Sequence, residues 1–174
     1  KLGMAGKTGI DLPNEQESIV PSTKWKLERT GERWYPGETI SVSIGQGQVT
    51  VTPASMAVMI ATVANGGTRV TPHVIRAVDE GAGWKQVVPP AVAERVAFRP
   101  ETLAALHDGL WMVVNASGTG TRARIAGRDV AGKTGTAHKL EGHGYAADRY
   151  VSSFVGFAPA SDPRLVVAVM IDEP

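Results

Sequence analysis

Gly132-Lys133-Thr134-Gly135-Thr136 packs a cation, two hydroxyls and a residue without a side chain into five positions. That mixture suits the wall of an anion-binding site. On an extended strand alternate side chains share a face, so Thr134 and Thr136 point one way and Lys133 the other. Gly135, having no Cβ, lets a ligand's backbone lie close against the strand.

A competing reading starts five residues earlier. Gly127-Arg128-Asp129-Val130-Ala131-Gly132-Lys133-Thr134 fits the phosphate-binding pattern G-x-x-x-x-G-K-[ST] at every fixed position. Leu165 to Ile171 followed by Asp172-Glu173 also has the form of an apolar strand ending in acids that holds magnesium in P-loop nucleotide hydrolases. A P-loop, however, needs a buried parallel strand ahead of its glycines and a helix directly after the Lys-Thr. Thr121 to Ile125 carries two arginines, and Gly135-Thr136 opens a helix poorly. The segment after Thr134 discriminates: a strand there excludes the P-loop, and a helix revives it.

The elements that must position these residues are legible in part. Ala131 to His138, Val151 to Ala158 and Leu165 to Ile171 read as three strands, with Lys139 to Arg149 a solvated charged loop between the first two. Thr52 is a good N-cap with Pro53 at the first helical position, and Ala54 to Ala64, apolar almost all round, reads as a buried helix stopped by Asn65-Gly66-Gly67. Pro100 opens a second helix whose Leu103, Leu106, Leu110 and Val113 form a core stripe. Gly118-Thr119-Gly120-Thr121 reads as a flexible, hydroxyl-rich turn. Ile40 to Ile44 is expected to be extended, Val70 to Val78 an edge strand, and Glu80 to Pro90 a loop with Trp84 as a covering side chain. Pro21 to Glu38 reads as a long ordered surface segment turning at Pro36-Gly37. The fold class is therefore α+β, an antiparallel sheet covered by helices.

Composition narrows the functional classes. The 174 residues are 43% apolar and 20% charged, as in an ordinary globular protein, and a net charge of +1 makes no case for nucleic acid. With no Cys, disulfides and thiol-ligated metals are excluded. His73, His107, His138 and His143 lack metal-ligand spacing and are expected to be exposed or hydrogen-bonded. No metal or cofactor is expected. The start at Lys1 and the end at Pro174 are both abrupt, so the chain reads as part of a longer protein, without an internal domain boundary.

Five stretches occur in one order: Gly6-x-Thr8-Gly9-Ile10-Asp11-Leu12-Pro13, Trp34-Tyr35-x-Gly37-Glu38-Thr39-Ile40, Ile44-Gly45-Gln46-Gly47 followed by Thr52-Pro53, Ala131 to Ala137, and Ser153 to Pro159. That order resembles the class B penicillin-binding proteins, serine D,D-transpeptidases that cross-link peptidoglycan, over nearly the whole chain. Trp34 to Ile40 and Gly45 to Gly47 are most similar to the elongation-type branch, penicillin-binding protein 2. The family uses a Ser-x-x-Lys nucleophile and base, a Ser-x-Asn element and a Lys-Thr-Gly strand. Neither of the first two patterns occurs here. In the family both precede the Gly-x-x-Thr-Gly-Ile-Asp-Leu-Pro stretch, so the resemblance implies that they lie upstream of Lys1 and that residues 1–174 are the C-terminal portion of the transpeptidase domain.

The resemblance further implies the site. Thr134, Gly135 and Thr136 bind a stem peptide ending in D-Ala-D-Ala or a β-lactam, Lys133 reaches the serine elements, and the Thr136 N–H is one of two oxyanion donors. Lys133 and Thr136 are the catalytic candidates. Lys7-Thr8-Gly9 is read as a structural copy, Gln46 as packing under the site, and His138 as a rim residue. Asp172 and Glu173 end a strand with no metal role. A membrane anchor preceding this chain, an extracytoplasmic location and a membrane glycosyltransferase partner are also implied. A non-catalytic module that binds β-lactam or peptide is the remaining alternative.

Overall fold

Thr52 sets the register of the central helix: its hydroxyl accepts from the Ser55 amide at 3.1 Å, and Pro53 follows at the first turn. The computed structural model describes residues 1–87, 94–141 and 144–174. Helix α1 is Thr23–Thr30, α2 Pro36–Ser43, α3 Pro53–Ala64 and α4 Pro100–Asn115. Strands β1 (Thr68–Arg69) and β4 (Glu94–Arg95) form one small ladder, and β2 (Ala77–Asp79) and β3 (Trp84–Gln86) another. The main sheet is antiparallel in the order β5 (Ala131–Glu141), β6 (Gly144–Ala158), β7 (Leu165–Asp172).

Pairing assigns the sheet's two faces. Ala131, Phe157 and Val166 are cross-strand partners, as are Lys133, Val155 and Ala168. Ala131, Val155 and Phe157 join Ile60 and Ala64 of α3 in the core, with Leu110 of α4, Val166 and Ala168 packed against them. Phe157 is 2% exposed, and burying a side chain of that size contributes about 1.5–3 kcal/mol. The opposite face carries Thr134, Phe154 and Val169 in one row and Thr136, Ser152 and Ile171 in the next.

Several sequence expectations are corrected by the structure. Ile40 to Ile44 is not extended, because Pro36 opens α2 there. Glu38 accepts from the Tyr35 amide at 2.8 Å, so a helix-start signal outweighs a short alternation of apolar and hydroxyl residues. Pro36-Gly37 is consequently a helix start and not a turn. The surface segment before it contains α1, capped by Ser22 and ended by Gly31 at φ +72°. Lys26 of α1, 4% exposed, is tied to Glu38 at 2.8 Å and to Glu32 at 3.4 Å, which joins the two helices.

Val70 to Val78 is strand only at Ala77 and Val78, since the Val74 and Ile75 amides donate to the Asp11 carboxylate at 2.7 and 3.0 Å instead of to a neighbouring strand. The Glu80 to Pro90 loop contains β3, whose Trp84 is 77% exposed and so is not a covering side chain among the described residues; positions 88–90 lie outside them. In α4 the core stripe is rotated. Leu106 is 38% exposed and Val114 fully buried, and the His107 ring stands 5.3 Å from Phe157 with Nε2 3.0 Å from the Val63 carbonyl oxygen. Finally, Lys139 to Arg149 is not a solvated loop: β5 runs on to Glu141 and β6 begins at Gly144, with Gly142 and His143 outside the described residues.

Candidate active site

Strand β5 is the edge of its sheet and carries Lys133, Thr134, Gly135 and Thr136. Thr134 therefore lies inside a strand that continues for seven residues to Glu141, with no helix after the lysine. The P-loop reading is excluded on this ground.

Glycines let this edge come close to the rest of the sheet. A Cβ on Gly132 would stand 2.4 Å from Phe154 Cζ and 2.6 Å from the Val155 carbonyl oxygen, and one on Gly156 would stand 2.8 Å from Phe154 Cε1. The Phe154 ring lies across both glycines and braces the strand beneath Lys133. A Cβ on Gly135 would meet Ser153 Oγ at 2.5 Å. Gly135 thus makes room for a hydroxyl of its own sheet, a contact that sequence reasoning, looking outward for a ligand, did not find.

The amino end of β5 is clamped by α4. Trp111 Nε1 donates to Asp129 Oδ1 at 2.8 Å, and Asn115 Nδ2 donates to the Val130 carbonyl at 2.7 Å. After α4 the chain does not form a flexible turn, because Gly118 and Gly120 are pressed against Val113 and a single 3-10 turn, Thr121–Ala123, comes next. Thr119 is carried by this pinned segment, and its Oγ1 lies 2.6 Å from Thr134 Oγ1. Lys133 is exposed, and its ammonium donates to the Thr134 carbonyl at 2.7 Å and reaches Thr134 Oγ1 at 3.5 Å. A cation and three hydroxyl side chains, from Thr119, Thr134 and Thr136, thus occupy one end of an open strand edge.

Further along β5 an open groove of about 250 Å³ is lined by Gly45 to Thr50, Ala137, His138 and Tyr145. The Tyr145 hydroxyl accepts from the Gly47 amide at 2.9 Å, fixing the Gly45-Gln46-Gly47 segment against the hairpin. Gln46 consequently lines a groove beside the strand and does not pack under it. His138, whose Nδ1 is 3.1 Å from the Ala146 carbonyl oxygen, forms the rim. Lys7-Thr8-Gly9 lies apart from this cluster. The Thr8 hydroxyl and amide both donate to Glu15 Oε1 at 2.6 Å and the Gly9 amide donates to Oε2 at 3.0 Å, so the donors of that copy are consumed in a turn.

Asp172 and Glu173 brace the hairpin. Lys139 Nζ lies 2.7 Å from both carboxylates, and Arg149 Nη2 donates to Glu173 at 2.6 Å. The hydrogen bonds from Lys139 and then Arg149 hold the Glu173 carboxyl below its ordinary value of 4.5. A depressed carboxyl contributes stability that is complete above the unfolded value and is lost as pH falls through the folded one. Stability is therefore expected to decline below about pH 4.5, and Glu173→Gln is expected to flatten that part of the profile. Melting temperatures across pH 3–7, compared between the two proteins, check this; parallel profiles would contradict it.

The chain belongs to the penicillin-binding protein transpeptidase domain family, whose model matches residues 1–174, and its relatives fall in the class B branch. It is 37% identical over 98% of its length to the peptidoglycan D,D-transpeptidase MrdA of Acinetobacter baumannii, covering 26% of that protein. It is 38% identical over 99% of its length to the stage V sporulation protein D of Bacillus subtilis, covering 25%. A crystal structure of Pseudomonas aeruginosa PBP2 in complex with WCK 5153 superposes with a TM-score of 0.83 at 34% identity, over 99% of this chain and 37% of that one. The chain thus spans about a quarter of the length of the curated relatives it matches.

Proposed function

We propose that residues 1–174 are the C-terminal portion of a peptidoglycan D,D-transpeptidase domain and supply one wall of its acyl-transfer site. The observation that carries this reading is Lys133-Thr134-Gly135-Thr136 on the open edge of β5, in a chain that belongs to the transpeptidase family. An extended peptide adds readily to such an edge through main-chain hydrogen bonds. For a stem peptide ending in D-Ala-D-Ala, the Thr134 and Thr136 hydroxyls, on one face of β5, hydrogen-bond the terminal carboxylate, and the nearby Lys133 cation strengthens capture. Gly135 keeps the strand slim where the peptide runs beside it.

Acyl transfer passes through a tetrahedral oxyanion. The Thr136 backbone N–H is one of its two donors, and a donor of this kind is worth about 3–4 kcal/mol in comparable sites. The second donor is the amide of the nucleophilic serine, carried upstream in a Ser-x-x-Lys element that residues 1–174 do not contain. Lys133 reaches toward that serine and tunes its proton transfer. β-Lactams occupy the same wall by presenting a carboxylate beside a strained amide. Among the described residues no helix is long and apolar enough to cross a membrane. The anchor that places the domain on the extracytoplasmic face of the cell membrane, beside a glycosyltransferase, is assigned to the longer protein.

Two samples test this. The longer protein that contains this chain is expected to form a stoichiometric covalent adduct with a labelled penicillin, and purified residues 1–174 are expected to form none, since without the serine no acyl-enzyme exists. Intact-mass measurement reads both. An adduct on residues 1–174 alone, or none on the longer protein, would overturn the assignment.

A further inference from the structure

We propose that Thr119 is a positioning residue for the acyl-transfer site, whose hydroxyl fixes the direction in which Thr134 presents its proton. The inference rests on the transpeptidase reading above and assigns a role to a residue outside the Lys-Thr-Gly-Thr strand.

The two hydroxyl oxygens are 2.6 Å apart, a short hydrogen bond in which one oxygen donates and the other accepts. A threonine hydroxyl has one proton and two lone pairs. The Lys133 ammonium, which can only donate, lies 3.5 Å from the same Thr134 oxygen, the outer limit of a hydrogen bond, while bonding the Thr134 carbonyl at 2.7 Å. When Thr119 donates as well, both lone pairs of Thr134 Oγ1 face donors. The Thr134 proton then has one remaining role, donation outward to an anion. A carboxylate arriving at the strand is such an anion, so Thr119 sets Thr134 in the donor state before the ligand binds. Preorganised donors cost no reorganisation when charge arrives.

The backbone around Thr119 is built to hold it there. Gly120 donates its amide to the Val113 carbonyl at 3.0 Å and is buried. A Cβ on Gly118 would stand 2.4 Å from Val113 Cα and 2.5 Å from its carbonyl oxygen, and one on Gly120 would stand 2.9 Å from Val113 Cγ1. Glycine on each side of Thr119 thus lets the chain lie flat on the last turn of α4. Arg124 seals the same turn, its guanidinium donating to the Asn115 carbonyl at 2.7 Å. The hydroxyl is therefore presented by helix α4, which also clamps the start of β5 through Asn115 and Trp111. Thr119 and Thr134 are two ends of one frame.

The test uses the longer protein and a pair of D-alanyl thioester donors, one with a free terminal carboxylate and one as its methyl ester. Thr119→Val and Thr119→Ala are each expected to slow acylation by the carboxylate donor about tenfold, the worth of roughly one hydrogen bond, and to change the ester by less than about twofold, because the ester makes no ionic demand on Thr134. Thr119→Ser is expected to restore the carboxylate rate. Thermal melting of the three variants, expected within about 2 °C of the parent for an exposed side chain, separates this from misfolding. Equal loss on both donors would show general distortion of the site and sink the inference, as would an unchanged carboxylate rate or a serine variant no better than alanine. If the parent protein reacts with neither donor, the transpeptidase reading fails first and takes the inference with it.

Discussion

Lys133→Ala in the longer protein is expected, on the proposed function, to lower the second-order rate of acylation by a labelled penicillin by about 10²–10⁴-fold, the usual worth of a positioned proton-transfer group. The loss should fall on chemistry and not on folding. Lys133 is exposed, and among the described residues its ammonium bonds only to the adjoining Thr134, so removing it empties no core and breaks no contact between described elements. Surface changes of this kind usually shift stability by less than about 0.5 kcal/mol. Lys133→Arg is not expected to recover the rate, because a planar guanidinium cannot replace a compact ammonium that must approach one hydroxyl. Stopped-flow or gel-based acylation rates, read beside melting curves, decide the matter. A Lys133→Ala protein that keeps more than about a third of the parent rate would remove Lys133 from the catalytic machinery.

The second large effect concerns the strand that carries the site. Gly132→Ala places a methyl group 2.4 Å from Phe154 Cζ and 2.6 Å from the Val155 carbonyl oxygen. The ring can turn aside, but the carbonyl belongs to the paired backbone and cannot. Forcing such an overlap typically costs about 1–3 kcal/mol, which for a domain of this size lowers Tm by roughly 2–12 °C. It should also tilt Lys133 and Thr134, so penicillin acylation falls as well. Combining Gly132→Ala with Phe154→Leu is expected to return part of the lost Tm, the part owed to the ring, and leave the part owed to the carbonyl. An unaltered Tm in the single variant would mean that β5 and β6 do not approach as closely as described.

Much of the sheet and two of the helices were legible because their signals are local. The two apolar runs, Val151 to Ala158 and Leu165 to Ile171, read at strand spacing, with Ala131 to His138 as a third strand before them, and Thr52-Pro53 is a helix start that needs no tertiary help. The elements misread were those decided by a distant or unusual partner. Helix α2 depends on Glu38 folding back to the Tyr35 amide and on a buried lysine from α1. The stretch through Val74 and Ile75 loses its ladder because the Asp11 carboxylate, over sixty positions away, takes both amides. Charge along Lys139 to Arg149 looked like solvent exposure, yet Lys139 and Arg149 converge on the acids at the end of β7 and hold a hairpin together.

The candidate site divides in the same way. Residue types alone placed Lys133, Thr134, Gly135 and Thr136 in one anion-facing segment, since spacing on a strand follows from backbone geometry. The order of five short stretches marked the family, and the family model bears that out. The eight residues Gly127 to Thr134 satisfy the P-loop pattern, yet the sequence already weighed against it through the two arginines in Thr121 to Ile125 and the poor helix opening at Gly135-Thr136. Pairing of β5 with β6 then excludes the P-loop. Thr119 was visible as a hydroxyl between two glycines and invisible as a partner of Thr134. The 2.6 Å contact between them exists because α4 and β5 meet there in space, and a meeting of separate elements is fixed by packing and not by the residues between them.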